Sequence, residues 1–217
     1  MGAGDSKGKK DFMKKEENNK RMAFFDQLAS KWDSWHDLPQ LAARLNKIFE
    51  QFNIQADETV MDAGCGTGNL TGALLTKLGA EGRVIAVDIS SVMLREAQRK
   101  FSDPRVTWLQ TPIDTLPLKN SCCDRVICFS AWPHFQDQRA AVCELRRVLK
   151  PGGSVHVLHF ISREAVNNIH KEADQSVAHD MLPPVEDLAQ LFAAQKFTIC
   201  TTIDNAESYL LSARKDF

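Results

Sequence analysis

The sequence predicts a doubly wound α/β domain built on a mostly parallel sheet. Three observations carry this prediction. Between residues 58 and 160, strand-like and helix-like segments alternate. Residues 59–70 (TVMDAGCGTGNL) read as a buried strand, a glycine-rich turn and the start of a helix, the order by which such sheets bring backbone close to a nucleotide. A second strand over 83–88 ends in Asp88, twenty positions beyond Gly68 (88 − 68), where an acid suits ribose hydroxyls.

The elements follow in order. Residues 1–20 are polar and rich in Lys, Glu, Asn and Gly, and are expected to be a disordered tail. Residues 1–6 (MGAGDS), followed by Lys7, Lys9 and Lys10, match a myristoylation pattern, but a flexible tail is the preferred reading. Residues 21–53 form a helical region. Met22, Phe25, Leu28, Ala29 and Trp32 recur at helix spacing, and Leu41, Leu45, Ile48, Phe49 and Phe52 do so after Pro39. This aromatic-rich stretch packs on the sheet, caps the ligand site, or does both. Strands are expected at 58–63, 83–88, 105–110, 124–130 and 153–160, with helices near 68–79, 91–101 and 137–149. Lys150-Pro151-Gly152-Gly153 stops the last of these helices. A helix at 184–195 and strands at 197–204 and 207–214, hinged at Asp204-Asn205-Ala206, close the chain.

At 217 residues with 43% hydrophobic content, the chain makes one domain with a proper core. A net charge of −1 argues against a general nucleic-acid binder. Six cysteines form no C-x-x-C pair, and adjacent Cys122 and Cys123 have poor geometry for a bridge, so a reducing, cytoplasmic setting is expected. No apolar run approaches the ~18 residues that span a bilayer, and no secretory signal is visible.

The glycine spacing separates two cofactors. A dinucleotide fingerprint needs G-x-G-x-x-G, but position 69 holds Asn69, and the spacing is Gly64, Gly66, Gly68. Asp62 would repel a pyrophosphate and attract a ligand's ammonium group. The loop therefore resembles motif I of the class I S-adenosylmethionine-dependent methyltransferases. The run FFDQLASKWD at 24–33 resembles the cap helix of their small-molecule members, and LRRVLKPGG at 145–153 resembles their turn before the fifth strand. The resemblance covers residues 22 to 214. It implies a Rossmann-like, seven-stranded, mostly parallel sheet with a C-terminal antiparallel hairpin, and a methyltransferase domain over 21–217.

The resemblance also implies site residues. Asp62, Gly64, Cys65, Gly66 and Gly68 form the cofactor loop. Asp88 accepts from ribose, although capping the helix near Ser90 is its alternative role. Ile89 and Met93 sandwich adenine, and a core role for Met93 is an equal alternative. The family's acid after the third strand is replaced by Pro112, which offers neither carboxylate nor N–H. The backbone N–H of Ile113 and the Asp114 side chain are then the candidates for reading adenine. Ser130 and Ala131, past the fourth strand, match the backbone that lies along the methionine part.

Candidates for the chemistry are His159 at the end of the fifth strand, His134, and His170 in a lid insert at 162–184. His170 and His179 are nine apart, 180° around a helix, so they are not a chelating pair on one continuous helix. No metal is expected. S-adenosylmethionine would be attacked in line by a small-molecule nucleophile, leaving S-adenosylhomocysteine; a histidine base matters where the nucleophile must lose a proton. No Asn-Pro-Pro-Tyr-type sequence follows the fourth strand, which weighs against amide-nitrogen methylation in nucleic acid or protein. The expected protein is a cytoplasmic monomer or homodimer without nucleic-acid or membrane partners. Two alternatives remain open: methylation of an inorganic, arsenite-like acceptor at the His-rich lid, and a non-catalytic cofactor-binding or interaction protein. Against arsenite, the cysteines read as buried small hydrophobes, with Cys128 and Cys143 in core-like positions and Cys200 in a late strand.

Overall fold

The computed structural model describes the backbone of residues 4–216 and the side chains of residues 16–216. Five strands run parallel: β1 (Thr59–Ala63), β2 (Arg83–Asp88), β3 (Val106–Gln110), β4 (Cys123–Phe129) and β5 (Leu149–His159). Two more close the sheet in antiparallel fashion: β6 (Phe197–Asp204) and β7 (Tyr209–Lys215). The sheet order is β3-β2-β1-β4-β5-β7-β6. The order reverses between β1 and β4, and the crevice of such a sheet opens at that reversal.

The helices are α1 (Gly4–Leu28), α2 (Leu38–Gln51), α3 (Asn69–Lys77), α4 (Ser91–Lys100), α5 (Gln138–Val148), α6 (Arg163–Glu172) and α7 (Val185–Ala194). Side-chain caps fix several of their starts. Asp37 accepts from Gln40 N at 3.0 Å, Ser90 from Met93 N at 3.0 Å, Asp137 from Ala140 N at 2.9 Å and Ser162 from Ala165 N at 3.1 Å. The sheet has an apolar core on each face. One contains Met61, Val126, Leu145 and Phe192, joining α5 and α7 to the strands. The other contains Phe49, Val60, Leu74 and Leu94, joining α2, α3 and α4. Phe49, Leu74, Leu145 and Phe192 are fully buried, each worth ~1.5–3 kcal/mol of transfer free energy.

Several expectations need correction. Residues 1–20 were expected as a disordered tail, but α1 begins at Gly4 and runs continuously into the cap. The segment's Lys, Glu and Met are sound helix formers, and pairs such as Lys20 with Glu16, one turn apart, support the helix. The myristoylation pattern at Gly2 lies outside the described residues. The helix before Lys150-Pro151-Gly152-Gly153 stops at Val148 as expected, but β5 starts at Leu149 rather than 153 and takes in that turn, its pairing jumping from Cys123↔Leu149 to Arg125↔Ser154 with Gly152 at φ +78. An irregularity lets proline and glycine sit inside a strand. The hairpin connection is longer than three residues. Asn205 Oδ1 accepts from Glu207 N and Ser208 N at 2.9 Å each, so the loop extends to Ser208. Cys143 and Cys200 are exposed rather than core-like; Cys65, Cys123 and Cys128 are buried.

Candidate active site

The turn after β1 is built by three glycines for three different reasons. Gly64 has φ +79, and a Cβ there would lie 2.4 Å from Ala131 Cβ, so it is required by close packing on the β4 end. Gly68 has φ +83 and is the residue from which α3 departs, packed 3.0 Å (as a Cβ) from Ala97. Gly66 differs: a Cβ there would meet only Trp32 Nε1, at 4.0 Å, so its backbone faces open space. Gly64 and Cys65 both donate to Val87 O at 2.9 Å, tying the turn to β2.

That open space is a cleft of about 860 Å³, counted to its mouth. Its floor holds Gly64, Gly66, Val87 and Asp88; one wall holds Ile89, Met93, Thr111, Pro112, Ile113 and Asp114; the other holds Ser130, Ala131, His134 and Phe135. Arg21, Phe25 and Trp32 cover it from the cap. Ser130 adopts φ +54, a left-handed conformation costly for a residue with a Cβ, and it turns the chain out of β4 along the cleft.

The cap is tied down by three carboxylates. Asp26 Oδ1 accepts from Ser90 Oγ at 2.5 Å. Asp33 accepts from Thr67 Oγ1 at 2.6 Å, Asn69 Nδ2 at 3.1 Å and Lys100 Nζ at 2.6 Å, holding the short 3-10 helix Trp32–Trp35 over the glycine loop. Burial opposes ionisation of Asp33, but hydrogen bonds from Lys100, Thr67 and Asn69 outweigh it and lower its pKa. On the lid side, Asp180 accepts from Arg21 Nη2 at 2.6 Å.

The expected cofactor residues separate into two groups. Gly64, Gly66, Asp88, Ile89, Met93, Ile113, Asp114 and Ser130 line one cleft. Asp62, Cys65 and Gly68 do not. Asp62 is 1% exposed, and its Oδ2 accepts from Thr71 Oγ1 at 2.6 Å, so it braces α3 beneath the loop instead of facing a ligand's ammonium. Burial pushes its pKa up to about 7, with the hydrogen bond from Thr71 opposing and the Asp88 charge adding. Cys65 is buried below the turn, and burial raises its thiol pKa.

Asp88 is braced as well as exposed to the cleft. Oδ2 accepts from Gly66 N and Oδ1 from Ser90 N, both at 2.8 Å. The cap of α4 is Ser90, so Asp88 does not occupy the alternative capping role itself. Burial raises its pKa against these backbone donors.

Of the expected catalytic histidines, His134 alone lines the cleft. His159 is 3% exposed and off the wall; its Nε2 has no hydrogen-bond partner among the described residues. Burial, then the nearby His134 and His170, drive its pKa down to about 3. His170 is half-buried, donates Nδ1–H to the carbonyl of Asp180, and lies with its ring centroid 4.7 Å from that of His134. His179 is exposed in the loop beyond α6. Among the described residues no group of three His, Cys, Asp or Glu side chains is arranged to hold a metal.

Sequence reading missed Arg21 and Thr111 as parts of the site, and had Asp180 only as one polar residue of the lid insert. Asn18, Arg21 and Phe25 recur at helix spacing and all line the cleft, a signal that was available. The partnership of Asp180 depends on contacts across the fold and left no local signal.

Residues 60–153 match the methyltransferase domain family. A ubiquinone/menaquinone biosynthesis C-methyltransferase from Coxiella burnetii is 31% identical over 143 residues, covering 63% of this chain and 57% of that protein. An uncharacterized methyltransferase from Mycobacterium tuberculosis is 34% identical over 112 residues, covering 52% of this chain and 55% of that protein. The chain thus spans a little over half the length of the curated relatives it matches. A solved S-adenosylmethionine-dependent methyltransferase from Aquifex aeolicus superposes with a TM-score of 0.69 at 18% identity, covering 86% of this chain and 97% of that one. Among the described residues no helix is long and apolar enough to cross a membrane.

Proposed function

We propose, from the premise that the chain belongs to the class I S-adenosylmethionine-dependent methyltransferases, that it transfers a methyl group from S-adenosylmethionine to a small molecule. The observation that carries this reading is the meeting, in one cleft, of the bare backbone at Gly66, the Asp88 carboxylate and the apolar slot of Ile89, Met93 and Ile113. These features fit an adenosyl ligand. A carboxylate suits two vicinal hydroxyls, flat apolar walls suit a purine, and a glycine without Cβ allows close backbone approach.

In this reading Asp88 accepts from the ribose. Ile89 and Met93 pack against adenine, and the Ile113 N–H with Asp114 reads its edge. The backbone at Gly64, Gly66, Ser130 and Ala131 lies along the amino-acid part. When bound, S-adenosylmethionine supplies a methyl group on a cationic, already activated sulfur. The chain's own task is to orient the acceptor and exclude water, which is the position of the cap residues Arg21, Phe25 and Trp32. The name of the Coxiella burnetii relative points to a quinol-type ring as the acceptor to try first.

Calorimetry with S-adenosylmethionine and with NAD tests the cofactor; tighter binding of NAD would sink the reading. Transfer from radiolabelled S-adenosylmethionine to a panel of quinols, phenols and thiols tests the activity, with quinols expected to accept fastest.

A further inference from the structure

The loop following α6 carries one side chain whose surroundings fix the chemistry of another. Asp180 is 4% exposed. Arg21 Nε lies 3.2 and 3.0 Å from its two oxygens, and Nη2 lies 2.6 Å from Oδ1. The second partner is His134, whose Nδ1 is 2.9 Å from Oδ2. Burial opposes ionisation of Asp180, but the hydrogen bonds from His134 and Arg21 outweigh it and hold its carboxyl below the usual carboxylate range.

An ionised carboxylate only accepts hydrogen bonds, so the proton of this contact belongs to His134 Nδ1. In the neutral ring the lone pair is then on Nε2. No side chain among the described residues is hydrogen-bonded to that nitrogen, and His134 is on the wall of the cleft, 16% exposed. Phe25 and His170 hold the ring from its sides, with centroids 4.8 and 4.7 Å away. A basic nitrogen, a buried carboxylate behind it and an arginine that keeps that carboxylate charged make a supported proton acceptor beside the cofactor residues.

Resting on the methyl-transfer reading above, we propose that His134 is the general base of this site, that Asp180 is its positioning residue, and that the acceptor is one that gives up a proton: a phenolic or quinol hydroxyl, or a ring carbon activated by one. The acceptor's O–H or C–H bond breaks and its proton goes to His134 Nε2. The electron pair left behind forms the new bond to the methyl carbon. The sulfur keeps the pair of the broken S–CH3 bond and leaves as the neutral thioether. A thioether or a tertiary amine, which has no proton to lose, would gain nothing from this arrangement.

The charges around His134 are consistent with that load. Arg21 with Glu17 beside it on α1, His159 at the end of β5 and His170 on α6 surround it, and Asp88 faces it from β2. Asp137, which opens α5, shares the cleft. Burial keeps His159 and His170 neutral, so the imidazolium formed in the step is paired with Asp180 and Asp88 rather than opposed by neighbouring imidazolium ions.

The first measurement needs no acceptor. Long-range proton–nitrogen NMR of histidine-labelled protein, with S-adenosylhomocysteine added, reports the tautomer of His134. The expected neutral form is protonated on Nδ1 in the wild type and moves to Nε2 in Asp180→Asn, while the His156 signals stay in place as a control on folding. An Nε2-protonated His134 in the wild type overturns the proposal, as does a tautomer indifferent to Asp180→Asn; the wild-type result stands even where the variant does not fold. The second measurement uses 1,4-dihydroxynaphthalene and simple phenols as probes. His134→Ala is expected to lower kcat by roughly 10²–10⁴-fold with S-adenosylmethionine affinity retained. Asp180→Asn is expected to lower kcat less, and Asp180→Glu to restore part of it. Wild-type transfer to thioethers but to no phenol or quinol overturns the acceptor class. Loss of S-adenosylmethionine binding in the wild type would instead sink the methyl-transfer reading itself, and calorimetry separates that failure from the others.

Discussion

Gly64 offers the sharpest test of how the cofactor loop is built. Replacing it with alanine asks for two separate penalties. The backbone stays at φ +79, which costs an L-residue ~1–2 kcal/mol. The new methyl would lie 2.4 Å from Ala131 Cβ, well inside contact distance, and overpacking of this kind costs ~1–3 kcal/mol. Together Gly64→Ala should destabilise the domain by ~3 kcal/mol, which for a chain of this size lowers Tm by roughly 6–12 °C. Urea unfolding without ligand is the assay, read as a lower midpoint at unchanged slope. The two penalties can be separated. Ala131→Gly in the same molecule removes the opposing methyl, so the double variant should recover the packing loss and keep the backbone loss. Gly66→Ala provides the contrast: its methyl meets only Trp32 Nε1 at 4.0 Å, so only the backbone penalty at φ +51 applies. A loss below ~1 kcal/mol for Gly64→Ala, or no recovery with Ala131→Gly, would refute the assignment of Gly64 to close packing.

Three further outcomes follow from the same geometry. Asp88→Ala removes a charged acceptor and should weaken S-adenosylmethionine binding by roughly 10–100-fold in calorimetry; unchanged affinity would leave Asp88 only as the brace for Gly66 and Ser90. Asp62 has a folded pKa of about 7, raised above its unfolded value, so the folded state binds the extra proton between roughly pH 4 and 7 and loses stability as pH rises through that window. Asp62→Asn, with its amide oxygen still able to accept from Thr71, should therefore stabilise the protein at pH 8 on the order of 2–4 kcal/mol and hardly at all at pH 4; an equal effect at both pH values would contradict a buried carboxylate. His156 behaves in the opposite sense. Burial and Arg125 push its pKa down to about 3, so it contributes stability above pH 6.5 that is lost as pH falls below it, about 2 kcal/mol at pH 5; His156→Gln should flatten that part of the acid limb in urea titrations.

The strand–turn–helix run at 59–70 was legible because all of it is local. A short apolar run, then glycines at every second position, then 3.6-residue periodicity can be read from neighbours in the chain. The cap was half legible. The aromatics Phe25 and Trp32 stood out, but Asp33, next to Trp32, read as one more polar residue of the run. Its importance comes from Thr67, Asn69 and Lys100, more than thirty positions away. The same limit explains why Asp62 and His159 lie off the cleft wall where the sequence reading expected them on it. A strand's sequence shows that a residue is in a strand, whereas the side chain's neighbours are set by which elements pack over it. Asp62 is sealed beneath α3, and His159 faces Tyr209 on β7, with ring centroids 6.0 Å apart. Cys143 and Cys200 erred the other way, read as core and found exposed, because a small apolar residue in an amphipathic element does not declare its face.

The order of strands and helices, the glycine turn and the acid at the end of β2 were determined by the sequence itself, since backbone propensity and periodicity act over a few residues. Which carboxylate faces the cleft, and which histidine meets a carboxylate, was decided only by the tertiary structure. The Arg21–Asp180–His134 array joins residues 159 and 46 positions apart, from the cap, the lid and the end of β4. No local pattern encodes such a meeting. It exists because the parallel strands β4 and β5 end at the same edge of the sheet, where the segments that leave them, carrying His134 and Asp180, meet Arg21 of α1.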